Sequence, residues 1–125
     1  MIKKLKVLLL STMLTVGVVG CSKNENVSTE KENYKVSLIL DEGGVNDQSF
    51  NQSAWEGALK AKEDLGVEVN YIEAKQESDY ATNIETAIDQ ESDLIIGVGF
   101  KLADAIREAA ENYPEEKFAA IDCSY

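Results

Sequence analysis

The apolar positions of residues 34–125 fall into seven runs that alternate between strand-like and helix-like patterns. Four short runs predict strands, "YKVSLIL", "VEVNYIEA", "DLIIGVGF" and "FAAIDCSY". Three longer runs place apolar residues at helical spacing and predict helices, "SFNQSAWEGALKAKEDLG", "DYATNIETAIDQES" and "KLADAIREAAENYPEEK". The first helix is expected to end at Gly66, and the third near Pro114.

The order of these elements predicts the fold class. Strands and helices alternate with short connections, which favours an α/β fold with a parallel, doubly wound (Rossmann-like) sheet and helices on both faces. The crossovers are expected to be right-handed. A sheet of only four strands exposes edges that further strands normally cover. We therefore expect residues 34–125 to be an incomplete part of a longer protein.

The first 33 residues have a different pattern. "MIKKLK" is basic, "VLLLSTMLTVGVVG" is apolar, and small residues stand directly before Cys21, which predicts a signal peptide over residues 1–20. The apolar stretch has 14 residues, whereas a spanning helix needs about 20. Because a cysteine ends the signal, this segment resembles a bacterial lipoprotein precursor; a plain signal peptide and an anchor helix are the alternatives.

That resemblance implies that Cys21 carries lipid and becomes the new N-terminus. The chain would then be anchored to the cell membrane on its extracytoplasmic face, and stable anchoring takes more than one acyl chain. Residues 21–33 are polar and lack helical periodicity, so they predict a flexible tether. If Cys21 is lipidated, Cys123 has no partner in this chain, and it is expected to be a small buried residue at a strand end.

Charge narrows the possible partners. The chain has 12 basic and 23 acidic residues and a net charge of −11. Cleavage at Cys21 would remove three lysines and no acid, bringing the net charge to −14. Such a surface repels phosphate backbones and anionic headgroups. Nucleic acid is therefore not expected as a partner, and membrane attachment is expected through the lipid alone.

The residues that an enzyme would need are missing. The sequence contains no histidine, no P-loop and no G-x-G-x-x-G turn after the first strand. "DEGGVNDQSFNQ", residues 41–52, does not fit a calcium loop because its twelfth residue is Gln52. We expect no metal, no cofactor and no catalysis. Paired carboxylates leave glycoside hydrolysis as a minor alternative.

Ligands of open parallel sheets bind beyond the carboxyl ends of the strands. Asp41 and Asp122 each follow an apolar run directly, so both carboxylates are expected at one crevice. The loop after the first strand adds the ring of Phe50 and the amide of Asn51. Carboxylates accept paired hydrogen bonds from vicinal hydroxyls, and aromatic rings stack on flat heterocycles. This set suits a neutral, polyhydroxylated ligand with a planar ring.

Several of these residues have structural alternatives. Phe50 could anchor its helix by packing, and Asp47 or Ser49 is expected to cap that helix. Gly44 could simply serve a turn, and Trp55 is expected in the core. Gly99, Phe100 and Lys101 follow the third strand and could face either ligand or solvent, so Gly99 and Phe100 are weaker ligand candidates.

"LDEGGVNDQSFNQSAWEGALKA", with its "SFNQ" and "WEG" blocks, resembles the basic membrane protein family of ABC-transporter substrate-binding lipoproteins, the family of the purine nucleoside receptors. "LIIGVGF" and "FAAID" extend the resemblance over residues 34–125. The resemblance implies the N-terminal lobe of a type I periplasmic-binding-protein fold, whose second lobe is absent from this chain. The two lobes would close on a nucleoside of the adenosine, guanosine or inosine class. The partners implied are an ABC permease and its ATPase.

The resemblance also assigns roles to single residues. Phe50 would stack on the base, Asn51 would hydrogen-bond it, and Asp41 and Asp122 would bind ribose hydroxyls. Two alternatives stay open: a binding lipoprotein for a sugar or another small metabolite, and a surface lipoprotein for signalling or adhesion.

Overall fold

The structure is a computed structural model that describes residues 33–124. The predicted signal peptide, the lipidation site Cys21 and nearly all of the predicted tether lie outside the described residues. Within residues 33–124, no helix is both long enough and apolar enough to cross a membrane.

All seven predicted elements are present. The strands are β1 (Lys35–Leu40), β2 (Glu68–Glu73), β3 (Leu94–Val98) and β4 (Phe118–Ile121), and the helices are α1 (Phe50–Leu65), α2 (Tyr80–Asp89) and α3 (Ala103–Asn112). Short 3-10 turns, Glu77–Asp79 and Phe100–Leu102, lead into α2 and α3. β4 is shorter than predicted because Asp122 takes a left-handed backbone conformation, with φ 61°, which ends the extended chain.

The four strands form one parallel sheet in the order β2-β1-β3-β4. This confirms the predicted fold class. β1 lies at the centre, where Leu38 is paired with Tyr71 of β2 and with Ile96 of β3. Residues 37–40 of β1 are buried, which agrees with the near-continuous apolar pattern of this strand.

The helices cover both faces of the sheet, as predicted. Leu38 and Leu40 pack with Ala54 and Ala58 of α1. On the opposite face, neighbouring strand residues pack with α2 and α3, in a cluster that includes Ile39, Ile95, Ile84 and Ile106. Side chains that alternate along a strand point to opposite faces, so α1 lies on one face, and α2 and α3 lie on the other.

Two sequence expectations for α1 can be compared with the structure. The helix ends at Gly66, as predicted, where φ is 71° and the backbone N–H donates to the Lys62 carbonyl at 3.0 Å. Trp55, expected in the core, is only half-buried. Its ring packs edge-on against Tyr71 of β2, with 4.8 Å between the centroids. Because β2 is an edge strand, one side of this pair reaches solvent.

Candidate functional site

The carboxyl ends of β1 and β3 form the point where the direction of winding changes. These strands are neighbours, but the chain leaves β1 toward α1 on one face and β3 toward α3 on the other. The loops over residues 41–49 and 99–102 therefore leave the sheet toward opposite faces. Ligands of open α/β sheets bind at this kind of position.

Asp41 lies directly after β1 at this edge of the sheet, and its two carboxylate oxygens have different surroundings. Oδ1 accepts hydrogen bonds from the Gly43 backbone N–H at 2.9 Å and from Asn51 Nδ2 at 2.7 Å. Oδ2 lies 4.0 Å from Lys101 Nζ, beyond hydrogen-bonding distance. One oxygen is thus held by the protein, and the other is left for an additional donor.

Asn51 holds this arrangement from inside the protein. It belongs to the first turn of α1 and is only 1% exposed. A buried amide needs a partner, and the Asp41 carboxylate provides one. The structure therefore brings Asn51 and Asp41 together, and it places the Asn51 side chain as a buried support of the Asp41 carboxylate. The predicted hydrogen bond from Asn51 to a base stays a prediction.

The loop between Asp41 and α1 is fixed by further contacts. The Gly44 N–H donates to the Asp41 carbonyl at 3.1 Å, and the φ of Gly44 is 69°, so the predicted turn residue takes a conformation that favours glycine. The Val45 N–H donates to Glu73 Oε1 at 2.7 Å. The end of β2 therefore supports the loop that carries Asp41.

Of the two predicted caps of α1, Asp47 makes the capping bonds, whereas Ser49 occupies the N-cap position and makes no side-chain capping bond. Asp47 Oδ1 accepts from the backbone N–H groups of Ser49 at 2.8 Å and Gln52 at 3.0 Å, and its Oδ2 accepts from the Asn51 N–H at 3.1 Å. Partial burial opposes the charged form, but these backbone donors outweigh it and lower the pKa of Asp47 below its ordinary value. The cap fixes the start of α1, and with it Phe50 and Asn51.

Replacing Asp47 with alanine should lower the unfolding midpoint of the intact protein at neutral pH, because three backbone N–H groups lose their acceptor. The lowered pKa means that this stabilisation is present above the ordinary Asp pKa of about 3.9 and is lost as the pH falls through the lower folded-state value. Urea unfolding at pH 7 and at successively lower pH measures both effects. The difference between unchanged protein and variant should shrink on acidification, and a constant difference would contradict the capping role.

Two aromatic side chains lie exposed at this edge of the sheet. Phe50, the first residue of α1, is 53% exposed, and Phe100, after β3, is 69% exposed. The alternative that Phe50 is a packed anchor of its helix does not fit this exposure. Both rings are therefore accessible to another molecule.

Asp122, Gly99 and Cys123 lie at the ends of β4 and β3. Asp122 is exposed, and its φ of 61° lies in the left-handed region, which aspartate and asparagine enter more readily than most residues other than glycine. The Gly99 N–H donates to the Ile121 carbonyl at 3.1 Å, which joins the two strand ends. Cys123, which was expected to be buried, is only half-buried, and burial together with the nearby Asp122 charge raises the pKa of its thiol. Its thiol is therefore not activated.

Two residues that the sequence did not single out for binding, Glu42 and Tyr80, form a polar cluster with Lys101 beside Asp41. Tyr80 Oη donates to Glu42 Oε2 at 2.9 Å, and Lys101 Nζ lies 3.2 Å from the same oxygen. Hydrogen bonds from the Glu42 backbone N–H and from Tyr80, together with Lys101, lower the pKa of Glu42. The hydrogen bond with Glu42 raises the pKa of Lys101. Both groups are therefore charged at neutral pH.

The chemistry of this edge is that of binding. Within residues 33–124, no group of three or more His, Cys, Asp or Glu side chains is placed to hold a metal ion. The edge offers a fixed carboxylate, an exposed ring and a second carboxylate at the end of β4. These groups can accept hydrogen bonds from hydroxyls and stack on a flat ring.

Comparison with known proteins agrees with this description. The family model described as "ABC transporter substrate-binding protein PnrA-like" matches residues 15–125. The CD4+ T-cell-stimulating antigen of Listeria innocua is 40% identical over 123 residues, which cover 92% of this chain and 34% of that protein. The ABC transporter nucleoside-binding protein BmpA of Lactococcus lactis is 39% identical over 110 residues, covering 82% of this chain and 31% of that protein.

Among solved structures, an ABC transporter solute-binding protein from Aeropyrum pernix superposes with a TM-score of 0.67 at 36% identity, over 72% of this chain and 25% of that one. The chain spans about a third of the length of the curated relatives it matches.

Proposed function

Since the chain belongs to the PnrA-like family of ABC transporter substrate-binding proteins, we propose that it is the N-terminal lobe of a protein that binds a purine nucleoside and delivers it to an ABC permease and its ATPase. The family consists of solute-binding proteins and not of enzymes. In the whole protein, a second lobe would close over the ligand, because a state that encloses the ligand can bind it more tightly than an open one.

The observation that carries this proposal is the divided carboxylate of Asp41. Its Oδ1 is held by Asn51 and Gly43, while Oδ2 has no partner as close. A carboxylate held in this way is oriented before the ligand arrives, so binding has less conformational freedom to remove. Ribose hydroxyls are donors that suit the remaining oxygen.

The other proposed contacts follow from their places at the same edge. Phe50 would stack on the base, and its exposure leaves the ring accessible. Asp122 would share the ribose hydroxyls with Asp41, and Gly99 and Phe100 are secondary candidates. Asn51 is buried against Asp41, so it would hydrogen-bond the base only if its side chain turned toward the ligand. The printed name of the Lactococcus lactis relative, a nucleoside-binding protein, supports a nucleoside over another small solute.

The printed names of other relatives support a membrane location for the whole protein. Relatives from Pyrococcus are described as lipoproteins, and one from Borreliella burgdorferi as a basic membrane protein. We propose that Cys21 is lipidated and holds the protein on the extracytoplasmic face of the cell membrane. The polar segment 21–33 would then give the lobe freedom to reach the permease.

Identifying the ligand that accompanies the whole protein through purification tests the proposed substrate class. Mass spectrometry of material released by denaturation should detect a purine nucleoside. A sugar or another small metabolite in its place would keep the solute-binding role and reject the nucleoside.

Replacing Phe50 with alanine should weaken nucleoside binding by about 1 to 3 kcal/mol, the range for stacking of a base on an aromatic ring. Calorimetric titration of the whole protein and the variant measures this change. Leu65→Ala is a matched control, because Leu65 is also exposed but lies at the opposite end of α1. Equal losses in both variants, or none in Phe50→Ala, would contradict the stacking role.

A further inference from the structure

The Lys101 ammonium lies between the carboxylates of Asp41 and Glu42 and is closer to that of Glu42. Its Nζ is 3.2 Å from Glu42 Oε2 and 4.0 Å from Asp41 Oδ2. The first distance is close to a charge-assisted hydrogen bond, and the second is too long for one. Lys101 is therefore held by Glu42, although the second carboxylate is within reach of its flexible side chain.

Tyr80 explains this preference. Its hydroxyl donates at 2.9 Å to the same Glu42 oxygen that Lys101 contacts, and Tyr80 itself is buried at the start of α2. Two donors on one oxygen fix its position. Lys101 has no comparable restraint, because 42% of its side chain is exposed and an ammonium can rotate its three donors freely.

We propose that Glu42, fixed by Tyr80, holds Lys101 away from the oxygen of Asp41 that the ligand needs, an inference that rests on the nucleoside-binding proposal above. A shift of less than about 1 Å would bring Nζ within hydrogen-bonding distance of Asp41 Oδ2. An ammonium bound there would compete with the ribose hydroxyls for this oxygen and weaken their hydrogen bonds. Glu42 and Tyr80 are thus positioning residues, which act on affinity through Lys101.

The inference predicts a specific pattern of affinities. Glu42→Gln keeps the shape of the side chain but removes the charge that attracts Lys101, so the ammonium should move to Asp41. The whole protein should then bind its nucleoside about two- to fivefold more weakly, the range expected for one exposed ion pair that must be broken. Tyr80→Phe should change affinity in the same direction by less, because the Glu42 charge remains.

A double-mutant comparison separates this role from a structural one. The unchanged protein, Glu42→Gln, Lys101→Met and the double variant are titrated calorimetrically with adenosine, guanosine and inosine at low salt. The loss caused by Glu42→Gln should vanish when Lys101→Met is already present. It should also shrink in about 1 M salt, where the Debye length is about 3 Å. Damage to the fold would be neither reversed by Lys101→Met nor screened by salt.

The other possible results of these titrations overturn either this inference or the proposed function. A loss of affinity that persists in the double variant, or no loss in Glu42→Gln, overturns this inference and leaves nucleoside binding standing. If Glu42→Gln does not fold, Tyr80→Phe in the presence and absence of Lys101→Met gives the same comparison. An unchanged protein that binds none of the three nucleosides overturns the proposed function, and this inference with it.

Discussion

Asp41→Asn in the whole protein is expected to weaken nucleoside binding by about 1.5 to 3 kcal/mol, roughly 10- to 150-fold, without changing the unfolding midpoint. This loss of binding free energy equals the usual contribution of a hydrogen bond to a charged group. It is expected because the ribose hydroxyls would face a neutral amide in place of a carboxylate. Stability should be kept because an asparagine oxygen can still accept from Gly43 N–H and Asn51 Nδ2, the two donors that now hold Asp41 Oδ1.

Asp41→Ala separates the proposed ligand contact of Asp41 from its structural contacts with Gly43 and Asn51. It removes the acceptor of Asn51 Nδ2, which belongs to a residue that is 1% exposed, and an unpaired buried donor costs about 1 to 3 kcal/mol of stability. Alanine should therefore lower both affinity and unfolding midpoint, whereas asparagine lowers affinity alone. Asp89→Asn, at the exposed end of α2, is the control and should alter neither. Normal binding by Asp41→Asn would limit Asp41 to holding its loop.

Gly97→Ala should destabilise the protein by about 1 to 3 kcal/mol, the usual cost of overpacking a core. A Cβ at Gly97 of β3 would lie 2.5 Å from Ile106 Cγ1 and 3.0 Å from Ile106 Cδ1, both on α3. Helix α3 approaches the sheet this closely because the glycine has no side chain. Urea unfolding of the intact protein measures the change.

Gly57→Ala is the matched control for Gly97→Ala. A Cβ at Gly57 would meet no atom within 4 Å, and Gly57 lies inside α1. Alanine there should stabilise the protein by about 0.4 to 1 kcal/mol, because it reduces the freedom of the unfolded chain. Opposite signs for the two substitutions would confirm the close packing of α3 on β3. A neutral Gly97→Ala would contradict it.

Much of the fold could be predicted because its signals are local. The alternation of periods predicted each strand and helix, and Gly66 marked the end of α1. The order β2-β1-β3-β4 could not be predicted, because periodicity shows which residues are buried and not which strands are neighbours. The end of β4 was also missed, since it depends on the left-handed conformation of Asp122.

The candidate site was predicted where it depends on position along the chain. Asp41 follows a strand and Phe50 begins a helix, and these places bring them to the carboxyl edge. The burial of Asn51 was not predicted. Asn51 and Gln52 are neighbouring polar residues, and the sequence does not show which of their side chains lies inside. The contact of Glu42 with Lys101 joins residues 59 positions apart. No periodicity in either segment indicates this contact. The one available signal was the position of Glu42, a second carboxylate directly after Asp41.

Calorimetric titration of the whole protein with adenosine, guanosine and inosine decides whether this lobe belongs to a protein that binds a purine nucleoside. We expect saturable binding of at least one of them, with one nucleoside per protein. Absence of binding to all three would contradict nucleoside binding.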